Sequence, residues 1–167
     1  GAGKVRKTVK LSIDIPAGVD NESVIPIRGQ GEPGVNGGPT GDLYIVITVK
    51  PHKMFTRRGD DLYLEMPISF EQAALGSELV VPTLEGKVSY KIPAGTQPGT
   101  VVRLKDKGVK KLRREAKGDL YVKVNLEVPT KLNNKQKKAI TEMGKVVNED
   151  CYQKKGGFAE KLKEIFK

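Results

Sequence analysis

Apolar and polar residues alternate with a period of two along three stretches in the first two thirds of the chain. Residues 9–15 alternate Val, Leu and Ile with Lys, Ser and Asp, and residues 62–68 and 88–92 show a similar alternation. Because successive side chains of a strand point to opposite faces, this period predicts strands with one buried face. Ten prolines and 19 glycines interrupt the sequence closely, which favours short strands joined by turns.

Beyond Pro129 the spacing of apolar residues changes to three and four, which is typical of helices. We expect one helix capped by Asn133 or Asn134 and a second helix after Gly156 and Gly157. The second helix carries large apolar side chains on one stripe: Phe158, Leu162, Ile165 and Phe166. Since about ten residues rarely hold a helix alone, this stripe is expected to dock on the protein's own core or on another subunit. A shorter helix is predicted between Ser69 and Gly76.

Two segments of the chain are copies of one another. The Ile-Pro-Ala-Gly at residues 15–18 recurs at 92–95, and the Gly-Asp-Leu-Tyr at residues 41–44 recurs at 118–121. Both recurrences are 77 positions apart. In each copy we expect a strand, the Pro-Ala-Gly turn, a short apolar strand, a loop and a longer strand.

The repeat predicts a mostly β protein with two tandem, small β-sandwich-like domains built from antiparallel sheets, followed by C-terminal α-helices. The predicted boundaries are 1–53 for a partial first domain, 54–128 for the second domain and 129–167 for the helical segment. Shifted back by 77, residues 55–77 would fall before Gly1, so we expect the first copy to be incomplete and the chain to be a fragment of a longer protein.

Composition excludes several classes of protein. No apolar run approaches the roughly 18 residues that cross a bilayer, so a membrane span is excluded. A single Cys excludes an internal disulfide, and one Cys with one His cannot form a structural zinc site alone. The neighbouring Asp60 and Asp61 point to opposite faces of a strand and have no nearby His or Cys, so no catalytic or metal site is expected. The basic N-terminus lacks the apolar core of a signal peptide, which favours a cytoplasmic setting.

The net charge of +10 is unevenly distributed. Residues 54–86 carry two Arg against six acids, whereas residues 87–117 carry ten basic residues against two acids. The basic loop at residues 103–117 could serve as a nucleic-acid-binding module, or it could be a solvated loop that steers an acidic partner. No aromatic residue lies between its charges to stack on bases, so nucleic-acid binding is the weaker interpretation.

Five motifs, in the same order along the chain, resemble the C-terminal region of the bacterial DnaJ co-chaperone family, a group of J-domain proteins. They are residues 58–63 (RGDDLY), 70–76 (FEQAALG), 81–86 (VPTLEG), 92–97 (IPAGTQ) and 132–137 (LNNKQK). The family combines a J-domain, a Gly/Phe-rich linker, two related β-rich domains and a terminal dimerisation segment. Its zinc-binding insert interrupts the first β-rich domain, and the resemblance implies that this chain begins after that insert.

The resemblance also implies a function. Members of the family bind exposed apolar segments of unfolded polypeptides and transfer them to a DnaK-type ATPase chaperone. Leu11, Ile13 and Ile45 match positions that line the peptide-binding groove, and Leu43 and Ile47 are their neighbours on the alternation. The apolar stripe at residues 158–166 matches the dimerisation segment, which implies a homodimer, and the zinc of the family belongs to the insert.

The sequence of the first copy offers one independent clue about that groove. At the 77-residue offset, Val46 and Thr48 correspond to Lys123 and Asn125, so the first copy's strand is apolar on one face and poor in charges on the other. One face could be core while the other meets a partner, or both faces could be covered internally.

Overall fold

The protein is mostly β, with its longer helices near the C-terminus, as the sequence predicts. The structure, a computed structural model, describes residue 3 and residues 5–167. The strands are β1 (Val24–Ile27), β2 (Leu43–Val46), β3 (Thr56–Arg58), β4 (Asp61–Ile68), β5 (Ser77–Thr83), β6 (Gly86–Ile92), β7 (Val101–Leu104) and β8 (Leu120–Leu126). The α-helices are α1 (Phe70–Leu75), α2 (Asn134–Val146) and α3 (Gln153–Ile165). Two compact units result, Gly1–Glu127 and Val128–Lys167, and the division of the first unit near residue 53 stays a prediction.

A four-stranded sheet organises the first unit. Its strand order is β3-β4-β8-β7, while β1 with β2 and β5 with β6 form two-stranded antiparallel sheets. The expectation of purely antiparallel sheets is wrong at one place, because β4 and β8 pair in parallel, with Leu62 opposite Leu120. Parallel neighbours need a long crossover, and residues 69–119 supply it with α1, the β5–β6 hairpin and β7.

The core lies between the four-stranded sheet and the β5–β6 hairpin. Alternation along β4 buries Leu62, Leu64 and Ile68 and leaves Glu65 exposed, as the period of two predicts. The two layers meet through apolar side chains of both sheets: Leu79, Val81, Tyr90, Ile92, Val102, Leu104, Val122 and Val124. Within the described residues, every buried position lies at Phe55 or later, so the first copy contributes no fully buried side chain.

The internal repeat is confirmed at the level of strand register. Val24 pairs with Val46 in the first copy, and Val101 pairs with Lys123 in the second. Each of the pairs between β1 and β2 recurs between β7 and β8 at the same displacement of 77 residues. The two hairpins therefore share one backbone arrangement, although their surroundings differ. On its other side β8 pairs with β4, whereas no strand among the described residues pairs with the equivalent side of β2.

The strand expected at residues 9–15 is not formed. Its second-copy equivalent, β6, is held by β5, with Ser77 opposite Ile92 and Thr83 opposite Gly86. Among the described residues before position 9, no strand plays the part of β5, so the backbone of 9–15 lacks a ladder to join. Alternation alone identifies a side-chain pattern, and a strand also needs a hydrogen-bonding neighbour.

The C-terminal unit is helical and has no buried residue among those described. Asn133 caps α2, accepting a hydrogen bond from the Gln136 N–H at 2.9 Å, as one of the two expected caps. The expectation that Gly156 and Gly157 precede the last helix is wrong, because α3 begins at Gln153 and includes both glycines. The Gly156 N–H donates to the Tyr152 carbonyl at 3.0 Å, so the helical hydrogen bonding begins before the glycines. Within the described chain, no helix combines the length and hydropathy that a membrane crossing requires.

The two hairpins predict a difference in hydrogen exchange. Because β8 lies between two strands and its apolar side chains are buried, its amides open only with the core. The amides of β2 have one strand partner, and its side chains are half-buried or exposed, so we expect these amides to exchange about a hundredfold faster than those of β8. Exchange measured by mass spectrometry on fragments covering the two hairpins checks this expectation. Equal protection would mean that the β1–β2 hairpin is stabilised by contacts other than those described.

Candidate functional site

The β1–β2 hairpin presents an apolar face that is only partly covered. Leu43, Ile45 and Ile47 alternate onto this face, and all three are half-buried. Across the ladder, Ile45 pairs with Ile25, and Leu43 pairs with Ile27. The structure thus brings three of the five expected groove residues together on one surface.

The other two expected groove residues lie in the segment that forms no strand. Leu11 is 40% exposed, and Ile13 is half-buried. Because residues 9–15 have no strand partner among the described residues, Leu11 and Ile13 are not held in the sheet that carries Ile45.

The second copy shows what the same face looks like when it is covered. The equivalents of Leu43, Ile45 and Ile47 are Leu120, Val122 and Val124, which are 0%, 2% and 1% exposed. The β5–β6 hairpin covers Val122 and Val124, and Leu120 belongs to the same buried core. The first copy has the same pattern of apolar side chains without an equivalent cover among the described residues, and this difference leaves its apolar face accessible.

The opposite face of the first hairpin is also apolar. Val24, Tyr44 and Val46 are each more than half exposed. The comparison of the two copies indicates this surface, because the exposed position that holds Lys123 in the second copy holds the apolar Val46 in the first. In the first copy, apolar side chains therefore occupy both faces of a two-stranded sheet.

Sequence reasoning missed a groove on the outer face of the four-stranded sheet. The rings of Tyr63 and Tyr121 stack with their centroids 5.2 Å apart, and the Arg58 guanidinium lies 5.1 Å from the Tyr63 ring centroid. The groove has a volume of about 650 Å³ and is lined by Lys53, Met54, Thr56, Arg58, Tyr63, Leu64, Glu65, Val101, Tyr121 and Lys123. Only the parallel pairing of β4 with β8 makes these two tyrosines neighbours, and no local sequence signal predicts a contact across 58 residues.

The loops that follow β1 and β7 are anchored by equivalent aspartates. In the first copy, the Gly29 N–H donates to the carboxylate of Asp42 at 3.1 Å, and in the second the Asp106 N–H donates to Asp119 at 3.0 Å. The bond from Asp106, together with Arg103, lowers the pKa of Asp119 below its ordinary value. An ionised Asp119 therefore holds the start of the basic loop.

The residues expected to mediate dimerisation are exposed. Phe158 is 67% exposed, Leu162 is 45%, Ile165 is 73% and Phe166 is 79%. The first three lie on α3 at the four- and three-residue spacings of one helical stripe, and Phe166 follows the helix directly. Among the described residues no set of three or more His, Cys, Asp or Glu side chains is placed to hold a metal ion.

Comparison with known proteins relates the chain to one family. Residues 3–129 match the family model described as the DnaJ C terminal domain. The chain is 54% identical over 164 residues to a protein named chaperone protein DnaJ from Ruminiclostridium cellulolyticum, with 98% of this chain and 43% of the relative covered. Proteins of the same name from Acetivibrio thermocellus and Parageobacillus thermoglucosidasius are 52% and 51% identical, with 98% and 100% of this chain covered. The chain spans 42% and 44% of the length of those two relatives.

Proposed function

Because this chain belongs to the DnaJ C-terminal domain family, we propose that it is a non-enzymatic, client-binding portion of a DnaJ-type co-chaperone. In this role it binds exposed apolar segments of unfolded polypeptides, which then pass to a DnaK-type ATPase chaperone. A cytoplasmic setting and a homodimer belong to the same proposal.

One observation carries the proposal. The apolar face of the β1–β2 hairpin is half-buried, whereas the equivalent face of the β7–β8 hairpin is sealed in the core. An accessible apolar face beside an extended backbone edge suits an unfolded chain, which offers apolar side chains and free peptide groups together. We place the client on the face of Leu43, Ile45 and Ile47, with Leu11 and Ile13 as neighbouring groove positions.

The expected affinity is low. Burying about 300 Å² of apolar surface yields about 7 kcal/mol at about 25 cal/mol per Å², before association and ordering costs of comparable size are subtracted. The dissociation constant of one groove is therefore expected to be micromolar or weaker. Low affinity suits the transfer of a client, because the client must dissociate quickly.

Dimerisation would raise the effective affinity without any new contact at the groove. No residue of the C-terminal unit is buried among those described, and an isolated helix of 13 residues is marginal in water. Pairing of two α3 stripes would cover the exposed side chains from Phe158 to Phe166 and stabilise the helix. Two grooves in one dimer could then hold one client at two points.

The direct test is the substitution Ile45→Ser. We expect it to weaken binding of an unfolded reporter about tenfold, because one apolar contact of the groove is replaced by a hydroxyl. The measurement is suppression of aggregation of a denatured reporter protein, with titration of a fluorescent client peptide to give the dissociation constant. Unchanged client binding would place the client elsewhere on the protein.

A control is available in the same copy. Val35 is 83% exposed and lies outside the β1–β2 ladder, so Val35→Ser removes apolar surface without changing the groove. It should leave client binding unchanged. Circular dichroism of the Ile45→Ser protein distinguishes the two roles of Ile45, since global unfolding would show that Ile45 is a structural core residue.

Nucleic-acid binding through the basic loop at residues 103–117 is the alternative function, favoured by the high local charge. Binding to phosphates weakens steeply as salt rises, whereas apolar client binding persists. Reporter protection that survives high salt supports the client-binding proposal. No protection, together with salt-sensitive binding to duplex or single-stranded nucleic acid, would favour the alternative.

A further inference from the structure

The two copies of the repeat differ sharply in the charge of one loop. Residues 105–117, here called the cationic loop, contain seven basic residues and two acids. The equivalent residues 28–40 of the first copy contain one Arg and one Glu, and therefore have no net charge. The comparison is an internal control, because the two loops connect equivalent strands.

The fold of the loop does not need these charges. In the cationic loop the Gly108 N–H donates to the Gly118 carbonyl at 2.8 Å, and in the first copy the Gly31 N–H donates to the Gly41 carbonyl at the same distance. The bond from the Gly118 N–H to Val109 also has an equivalent in the first copy, with the same length of 2.9 Å. A loop without net charge thus supports the same backbone hydrogen bonds at the base of the loop.

One basic residue of the loop has an unfavourable backbone conformation. Arg113 has a φ of 60°, in the left-handed region, where the first copy has the better suited Asn36 at 53°. Lys110 and Lys117 face each other across an isolated antiparallel bridge, and the pairing of Lys117 with Glu85 offsets the repulsion between them. An arginine at a position where asparagine suits the backbone better, and which is absent from the other copy, points to a role in binding.

Most of the charge is available to a partner. Glu85 pairs with Lys117 and lies 3.7 Å from the Lys107 amino group. Among the described residues, five other basic side chains of the loop make no ion pair: Lys105, Lys110, Lys111, Arg113 and Arg114. Two backbone contacts anchor the loop. The Val109 N–H donates to the backbone carbonyl of Asp60, and the turn at Gly18 packs so closely that a Cβ on Gly18 would overlap the Lys110 carbonyl. Because the backbone that carries these cations is anchored, the loop itself need not be ordered when an anion binds.

We propose that the cationic loop is a docking site for an acidic segment of a partner polypeptide. Arg113 and Arg114 offer planar guanidinium groups that can each bind a carboxylate with two hydrogen bonds. Leu112 lies between the cations and is 41% exposed, so the surface combines charge with an apolar contact. Acidic side chains interleaved with apolar ones match both features.

The same features favour a polypeptide over a nucleic acid. The cationic loop has no aromatic side chain on which a base could stack. An exposed leucine gains little from a phosphate backbone but can be buried by an apolar side chain of a peptide. This site shares no residue with the proposed client groove, and the proposal does not depend on that groove.

The test uses the full chain and a short fluorescent peptide in which glutamate alternates with leucine. Anisotropy titrations are run at about 50 mM and about 300 mM salt, beside a peptide with Gln in place of Glu and duplex and single-stranded oligonucleotides of matched charge. We expect the glutamate peptide to bind most tightly. The triple variant Lys111→Gln, Arg113→Asn, Arg114→Gln should weaken that binding about tenfold, since each exposed ion pair contributes modestly.

The triple variant should fold, because Arg113→Asn installs the residue that the first copy has at this conformation. The matched control is Lys135→Gln, Lys137→Gln, Lys138→Gln on α2, which removes the same charge from exposed positions and should change peptide binding less than twofold, about the size of a distant surface-charge effect. Equal weakening by both variants would overturn the proposal, as would tighter binding of an oligonucleotide. Retained reporter protection in the triple variant would show that docking at the loop and client binding are separate functions.

Discussion

Replacing Leu120 by Ala is expected to lower the free energy of unfolding by about 3 kcal/mol, because a fully buried leucine in the middle of a sheet leaves a cavity that its neighbours cannot fill. Leu120 is 0% exposed and lies in β8, which is flanked by β4 and β7. Chemical denaturation monitored by circular dichroism gives the change in unfolding free energy directly.

The repeat supplies a matched control for this prediction. Leu43 is the equivalent residue of the first copy, has the same position in its hairpin and is only half-buried. Leu43→Ala should therefore lower the free energy of unfolding by about 1 kcal/mol or less, since part of the Leu43 side chain is already exposed to water. A loss as large as that of Leu120→Ala would show that the first copy has a packed core of its own, and it would count against an open client groove.

The second large effect concerns the oligomeric state. If the exposed stripe of α3 forms a symmetric interface, each buried apolar side chain contributes about 1.5 to 3 kcal/mol, and every substitution acts twice. The double variant Phe158→Ser, Leu162→Ser should raise the dimer dissociation constant about a thousandfold or more. Removal of residues 158–167 should abolish the dimer. Sedimentation equilibrium measures both changes as a fall in mass towards that of one chain.

Substitutions on the charged side of the same helix provide the control. Lys161→Gln and Lys163→Gln keep the helix and leave the apolar stripe unchanged, so the mass should stay that of the dimer. An unchanged mass after removal of residues 158–167 would refute the dimerisation role of α3. A monomeric variant that keeps its single-site affinity but protects the reporter poorly would support two-point client binding.

The sequence predicted the local elements well, because strand and helix patterns are local. The alternation in β4 and β6 and the N-cap positions of α1 and α2 follow from residues close together in the chain. The matching register of the two hairpins follows from the internal repeat. The predictions that failed concern features that depend on residues far away in the chain. Residues 9–15 alternate like β6 but have no strand like β5 beside them among the described residues.

The site was predicted in the same uneven way. Leu43, Ile45 and Ile47 share a face because a period of two requires it, while the position of Leu11 and Ile13 depends on a ladder that 9–15 do not join. The tyrosine-lined groove depends on parallel pairing across the crossover, which no pattern in either strand reveals. The final helix began earlier than expected because two glycines, each costing about 1 kcal/mol, can be tolerated inside a helix whose first turn lies before them.

The parallel pairing of β4 with β8 has a consequence for biosynthesis. In the described chain β8 is the last strand to be made, yet it takes the place between β4 and β7. While the ribosome is still adding residues 69–119, the edge of β4 that later pairs with β8 has no strand partner. The leucines of β4 are then exposed to water and to other nascent chains. A protein proposed to shield other polypeptides during their own assembly must therefore pass through an equally vulnerable stage itself.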